Sequence, residues 1–348
     1  EYIIPKPFDP RLITEIPPAV AKAAMDSGVA QEPISNWKDY QEELYQRIGS
    51  DDKIVRLLLD RAKNDPKRVV FAEADQLNVL KAAQIAHEEG IAIPILLGRK
   101  DVIQELMNEI EFDAEVLIID PKSDSEKSNR ERYTQHYWER RKRNGVTQYE
   151  ASSKMRERNY YAAMMVNLGD ADALVSGYSR SYPTVFKPMV ELIGTANGVN
   201  KVATTNLMLT NKGPIFLSDT SININPTSKE LAKIAQMTAF TASMFGIEPS
   251  VAMLSFSNFG SSNSPEAIKV REAVKYLHRF FPSLTVDGEI QSDFALNKKM
   301  LQDTFPFSRL SGKKVNTLIF PNLEAANITY KLIKELDDAL SIGPIMMG

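Results

Sequence analysis

Cysteine is absent from this 348-residue chain, and histidine (three) and tryptophan (two) are scarce. The first absence removes disulfides, thiolate metal sites and cysteine nucleophiles together, and it fits a reducing, cytoplasmic setting. His87, His136 and His278 stand apart in the sequence from any serine and acid that would complete a catalytic triad. Long apolar runs are also missing. The longest, such as Ile91 to Gly98, fall far short of the roughly 20 residues a membrane span needs, so no membrane partner is expected. The opening E-Y-I-I-P-K-P-F-D-P has no initiator Met and no basic segment leading into an apolar one, so it reads as part of a longer protein and not as a signal peptide. A net charge of −3 gives no general basis for binding nucleic acid.

What is present describes an ordinary globular chain, 43% hydrophobic and 25% charged, with room for two domains and a core in each. Pro5, Pro7, Pro10 and the pair Pro17-Pro18 predict an extended arm, followed by a short helix from Ala19 to Asp26 closed by Gly28. Ser35 is placed to cap a second helix running to Arg47, with Trp37, Tyr40, Leu44 and Ile48 on one face. From Asp51 onward helical periodicity alternates with short apolar runs. Helices are expected at 54–62, 76–89 and 102–109, and strands at 68–73, 92–97, 116–120, 173–176, 215–218, 251–256 and 317–320. Buried strands separated by crossover helices predict an α/β fold of doubly wound parallel sheets, two of them. The turn-rich stretch T-A-N-G-V near 194–199 is the expected boundary. The division is then 1–50 as a leading segment, 51–198 as a first domain and 199–345 as a second.

Two stretches repeat a strand, a loop of small residues and a helix, the order that can present N–H groups, hydroxyls and a positive helix end to an anion. In V-A-M-L-S-F-S-N-F-G-S-S-N-S-P-E the loop offers Ser257, Asn258, Gly260, Ser261 and Ser262, and Ser264-Pro265-Glu266 reads as cap and first turn. It is not a P-loop, because Gly260 stands alone and no Lys follows the serines. In D-A-D-A-L-V-S-G-Y-S-R-S-Y-P-T-V-F-K-P, residues Ser179, Arg180 and Ser181 lie at the carboxyl end of a strand, where open α/β sheets bind ligands. The alternative for each loop is a plain capped turn. The cluster Arg140, Arg141, Lys142 and Arg143 beside Tyr137 and Trp138 reads either as a helix end closed by Gly145 or as a clamp for a polyphosphate ligand. Asp287, Glu289 and Asp293 read as salt-bridged or solvated carboxylates in preference to a metal site. Glu324 and Asn327 open a helix after a strand and are candidates for the same cleft.

Taken together these strings resemble the phosphotransacetylase family. D-A-D-A-L-V-S-G, V-F-K-P, S-F-S-N-F-G-S-S, F-G-I-E-P, D-G-E-I-Q-S-D, L-I-F-P-N-L-E-A-A-N-I-T-Y-K and I-G-P-I follow that family's order from about Asp51 to the end. The first 50 residues instead resemble the C-terminal end of a bacterial malic enzyme, in Y-I-I-P-K-P-F-D-P-R-L and P-P-A-V-A-K-A-A-M-D-S-G-V-A. That junction is similar to the two-part NADP-dependent malic enzymes, which carry a phosphotransacetylase-like domain behind their catalytic one. The resemblance implies an isocitrate dehydrogenase-like pair of α/β domains, a coenzyme A cleft between them and a homodimer or higher homo-oligomer. It carries a family arginine onto Arg141, a second onto Lys187, which keeps the charge but loses the planar fork, and the loop serines onto Ser257, Ser261 and Ser262. The family's S-R-G-C-S string and following aspartate lie beyond the last residue here, so no catalytic residue and no acetyl transfer are expected. The expectation is a regulatory and assembly domain that binds acetyl-CoA as an effector, without metal or cofactor. NADP, a divalent metal and malate oxidation belong to the N-terminal malic domain, its expected partner. A working phosphate acetyltransferase and a purely structural dimerisation scaffold are the alternatives.

Overall fold

A computed structural model describes residues 11–46, 50–196, 199, 201–337 and 339–348. Leu57–Asn197 forms one compact unit, and the chain on either side of it forms the other.

The chain enters through α1 (Arg11–Asp26), α2 (Trp37–Gln46) and α3 (Ser50–Asn64). Helix α1 begins eight residues before the expected Ala19 and carries Pro17 and Pro18 inside it. The pair removes two backbone donors, but the fixed φ of proline is itself helical, so the helix continues through it. Gly28, with φ +72°, follows its end, as expected. In α2 the cap is Asn36, whose Oδ1 accepts the Asp39 amide at 3.4 Å, and not Ser35. Trp37 and Tyr40 meet edge to face and Leu44 is buried. Arg47 and Ile48 lie outside the described residues.

The unit Leu57–Asn197 is built on β1 (Lys67–Phe71), β2 (Ala92–Leu97), β3 (Leu117–Ile119) and β4 (Ala173–Val175), ordered β3-β2-β1-β4 and parallel throughout. Alternation along the strands separates two cores. Val70, Ile95, Leu97 and Ile119 face the layer of α6 (Lys127–Arg141), α7 (Gln148–Lys154), α8 (Arg158–Asn167) and α9 (Tyr182–Leu192). Phe71 and Leu96 face α4 (Leu77–Glu88) and α5 (Lys100–Glu109). Helix α8 is buried from Asn159 to Met165, which explains its lack of a polar face. Because β2 and β3 lie on one side of β1 and β4 on the other, the strand order reverses between β1 and β4. In open α/β sheets the crevice at such a reversal is where ligands bind.

The second unit holds β5 (Ala203–Thr210), β6 (Gly213–Ser218), α10 (Ser228–Met244), β7 (Val251–Leu254), α11 (Pro265–Phe280), β8 (Val286–Ile290), α12 (Ser292–Leu296), α13 (Lys298–Thr304), β9 (Thr317–Ile319), α14 (Leu323–Leu336) and β10 (Leu340–Met347). Its six-stranded sheet, ordered β10-β5-β6-β9-β7-β8, is mixed. β6, β9, β7 and β8 are parallel, whereas β5 pairs antiparallel with both β6 and β10, which corrects the expectation of a wholly parallel sheet. The cause is local. Thr210 to Gly213 closes a tight hairpin, and a hairpin can join only antiparallel strands. Gly343-Pro344, expected at the end of the domain, lies inside β10, where the register shifts between Ile342 and Ile345. An edge strand with a bulge tolerates proline. Among the described residues no helix is long and apolar enough to cross a membrane.

Candidate anion-binding site

The loop after β4 meets the carboxyl end of β1 at the strand reversal, and what lies there is a side chain of the protein. The Glu73 carboxylate, 1% exposed, accepts the amides of Gly177 at 2.7 Å, Tyr178 at 3.0 Å and Ser179 at 2.8 Å, and the Ser179 hydroxyl. Burial alone would raise this carboxyl, but the Ser179 hydroxyl and the converging amides carry it below the ordinary glutamate range. The N–H cradle expected to receive an external anion is thus already occupied by an internal one. Ser181 is turned onto Thr184, 2.9 Å away, while Arg180 is exposed.

The loop after β7 repeats this arrangement in the second unit. Glu289 of β8, fully buried, accepts the Gly260 amide at 2.8 Å and the Ser257 hydroxyl at 3.0 Å, and Arg271 grips it at 2.8 and 3.1 Å. Burial again opposes ionisation of Glu289 and the Arg271 guanidinium again prevails, so its carboxyl lies below the usual range. Asn258 is pinned by Gln291, the Ser261 hydroxyl by the Asn258 amide, and the Ser262 amide by Ser257. Ser264 caps α11 as the sequence implied, accepting the Ala267 amide at 3.3 Å. Of the carboxylates expected to be salt-bridged or solvated, Glu289 is salt-bridged to Arg271, whereas Asp287 is buried and receives the Ser308 hydroxyl and the Arg309 amide. Among the described residues no cluster of acids and histidines could hold a metal. Glu324 is exposed in the first turn of α14, and Asn327 donates to the Thr220 carbonyl at 3.1 Å.

The basic cluster does sit at a helix end. α6 stops at Arg141, one further turn carries Lys142 and Arg143, and Gly145 closes it with φ +87°. Three cations from different helices converge there on one carboxylate. Arg141 lies 3.7 Å, Lys154 3.5 Å and Lys187 3.9 Å from Glu191 of α9. The hydroxyls of Tyr160 and Tyr137 donate to Glu191 at 2.8 and 3.0 Å, so they make its short bonds and the cations stand at longer range. Burial pushes the Glu191 carboxyl up, but the two hydroxyls and the charges of Lys154 and Arg141 bring it below its ordinary value. The Arg141 Nε is buried without a hydrogen-bond partner. Among the described residues Arg140 hydrogen-bonds only to the Ile193 carbonyl, at 3.5 Å, and Arg143 is exposed. Tyr137 stands beside the cluster in the sequence, but Lys154, Tyr160 and Glu191 were not legible as site residues. The one available signal was Glu191 standing four residues after Lys187 on a helix.

Arg180, a candidate from the sequence, lines a cleft of about 420 Å³ at the carboxyl edge of the first sheet together with Arg99, Lys122, Arg156, Arg158, Asp120 and Glu157, none of which the sequence pointed to. Arg158 forms a bidentate pair with Asp75 at 2.7 and 2.9 Å. Its hydrogen bonds hold the Asp75 carboxyl below the ordinary range.

With this geometry in view, the profile of the phosphate acetyl/butaryl transferases matches residues 53–348. The chain belongs to that family. It is 36% identical over 302 residues to the phosphate acetyltransferase of Thermoanaerobacterium thermosaccharolyticum, covering 85% of this chain and 90% of that protein. It superposes on the EutD phosphotransacetylase from Staphylococcus aureus with a TM-score of 0.77 at 31% identity, over 86% of this chain and 91% of the other. Family membership extends to larger proteins. The NADP-dependent malic enzyme of Haemophilus influenzae is 41% identical over 350 residues, which covers the whole of this chain and 46% of that enzyme. The corresponding enzyme of Salmonella typhimurium is also 41% identical with the same coverage. The chain therefore spans about half the length of the malic enzymes it matches.

Proposed function

We propose that this chain is the regulatory and assembly part of an NADP-dependent malic enzyme, and that it binds acetyl-CoA as an effector of a malate-oxidising domain. In the whole protein that domain would contain the NADP and divalent metal sites. The observation that carries the ligand assignment is the convergence of Arg141, Lys154 and Lys187 on the single carboxylate of Glu191, beside Arg140, Lys142 and Arg143. Coenzyme A brings a 3′-phosphate and a diphosphate, and needs several fixed donors in one place. Arg141 and Lys187, 3.7 and 3.9 Å from Glu191, are held in place without short hydrogen bonds to it, whereas Lys154 also donates to the Tyr137 and Tyr160 hydroxyls at 2.9 and 3.2 Å. Membership of the phosphate acetyl/butaryl transferase family supports acetyl-CoA as the coenzyme form, and the match of the whole of this chain to 46% of the length of the malic enzymes supports the setting.

Calorimetry with acetyl-CoA tests the binding, with acetyl phosphate as control. Arg141→Ala should weaken acetyl-CoA by about 1.5 to 3 kcal/mol, the range for a charge-assisted contact. In the complete enzyme the same change should relieve inhibition of malate oxidation and leave the uninhibited rate unaltered, since an effector acts only through its differential affinity for two states. Unchanged affinity in Arg141→Ala would reduce the basic cluster to a solvated helix end. No acetyl-CoA binding at all would leave only the role of a scaffold. Acetyl transfer between acetyl phosphate and coenzyme A by the purified chain would replace the effector reading with phosphate acetyltransferase.

A further inference from the structure

We propose that the cleft at the carboxyl edge of the first sheet is a binding site for a diphosphate group, held by Arg99, Lys122, Arg156 and Arg180. These residues arrive from four places: Arg99 two residues after β2, Lys122 after β3, Arg156 between α7 and α8, and Arg180 in the loop between β4 and α9. The two carboxylates of the lining do not answer them. The Asp120 side chain accepts the Lys122 amide at 2.9 Å, and the Glu157 side chain caps α8 by accepting the Tyr160 amide at 3.1 Å. The fifth cation, Arg158, is neutralised by Asp75. Among the described residues, the side chains of Arg99, Lys122, Arg156 and Arg180 have no acidic or hydrogen-bonding partner.

Four unpaired cations around one concavity repel one another in the empty site, and a ligand carrying at least two negative groups relieves that repulsion. Three of the four are arginines, whose planar forks match phosphate oxygens two at a time. A volume near 420 Å³ is in the range of small-ligand sites and larger than a single phosphate requires. The position is the edge at which parallel α/β sheets receive ligands, displaced towards β2 and β3 because Glu73 fills the reversal itself. The inference is independent of the acetyl-CoA assignment, which rests on Arg141, Lys154 and Lys187. The diphosphate could be that of a coenzyme A or that of a separate nucleotide.

The test is calorimetry on the whole chain with inorganic pyrophosphate as the probe, then with acetyl-CoA. The proteins are the wild type, the double variant Arg99→Ala/Arg180→Ala, the charge reversal Lys122→Glu and Arg141→Ala, with circular dichroism verifying the fold of each. The wild type should bind one pyrophosphate, and both cleft variants should bind it at least about tenfold more weakly, the loss expected of missing charge-assisted contacts. Arg141→Ala should retain it. If acetyl-CoA weakens in parallel in the cleft variants, the diphosphate is the coenzyme's own. If acetyl-CoA is unaffected while pyrophosphate is lost, the cleft serves a separate nucleotide. Either result supports the site. No pyrophosphate binding by the wild type at millimolar concentration would overturn the proposal, as would binding that Arg141→Ala abolishes and the cleft variants leave intact.

Discussion

Glu73 and Glu289 show what a single buried acid does to a loop of small residues. Each collects amides and hydroxyls that would otherwise face an external anion, and each is ionised in spite of its burial, Glu73 because the Ser179 hydroxyl and the loop amides outweigh desolvation and Glu289 chiefly because the Arg271 guanidinium does. Their folded pKa values are lowered, so their contribution to stability is complete above the unfolded glutamate value of about 4.3. It is lost as pH falls through the lower folded values. Denaturant melts between neutral pH and pH 3 should therefore show a midpoint that declines on the acid side of that window. Glu73→Gln keeps an acceptor oxygen but turns an amide NH₂ towards backbone N–H groups. It should destabilise the chain by about 2 to 3 kcal/mol at pH 7, the worth of hydrogen bonds to a charged group, and flatten the acid limb. A variant as stable as the wild type at pH 7 would mean that the loop closes without the charge.

At the scale of elements, α10, α11, α13 and α14 are each started by a side chain that accepts a first-turn amide. Thr227 and Glu230 form a reciprocal capping box at α10, the Thr227 hydroxyl accepting the Glu230 amide and the Glu230 carboxylate accepting the Thr227 amide at 2.9 Å. Thr227→Ala should cost about 1 kcal/mol, as measured by the shift in urea midpoint with an unchanged slope. No measurable shift would show that packing of Leu231, Ile234 and Ala235 holds α10 without the cap. The strands were less readable than the helices. β5 contains Thr204, Thr205 and Asn206, all buried, and β8 contains Asp287 and Glu289, so neither looks like a core strand in isolation. Their polar groups are satisfied from elsewhere in the chain. Asp219 accepts from Thr204, Thr220 donates to Asn206, and Arg271 binds Glu289.

For the whole molecule, α14 presents Ile328, Leu332 and Leu336 at four-residue spacing, 53%, 53% and 82% exposed. Such an apolar stripe is a feature of association surfaces, and it accords with the assembly role proposed above. Light scattering at micromolar concentration should report a dimer, and Leu332→Glu should shift it towards monomer with the circular dichroism spectrum unchanged. A wild type that is monomeric throughout would remove the assembly role.

Much of the architecture was present in the order of residues. The period of apolar positions located the helices and the short buried strands of the first sheet, because burial on both faces and crossover packing leave a direct mark on local composition. The run Arg140 to Arg143 before Gly145 announced a basic helix end. The absence of cysteine ruled out its chemistry outright. Tertiary structure alone decided which anion each loop holds. Glu73 lies more than one hundred residues from the loop it fills, and Glu289 nearly thirty from Gly260, separations at which sequence carries no sign of contact. It also decided that Arg99, Lys122, Arg156 and Arg180 share one cleft while Arg141, Lys154 and Lys187 share one carboxylate. The reason is physical. A local pattern reports what a residue does to its own helix or strand, whereas a charge acts through space on whatever the fold brings within a few ångströms.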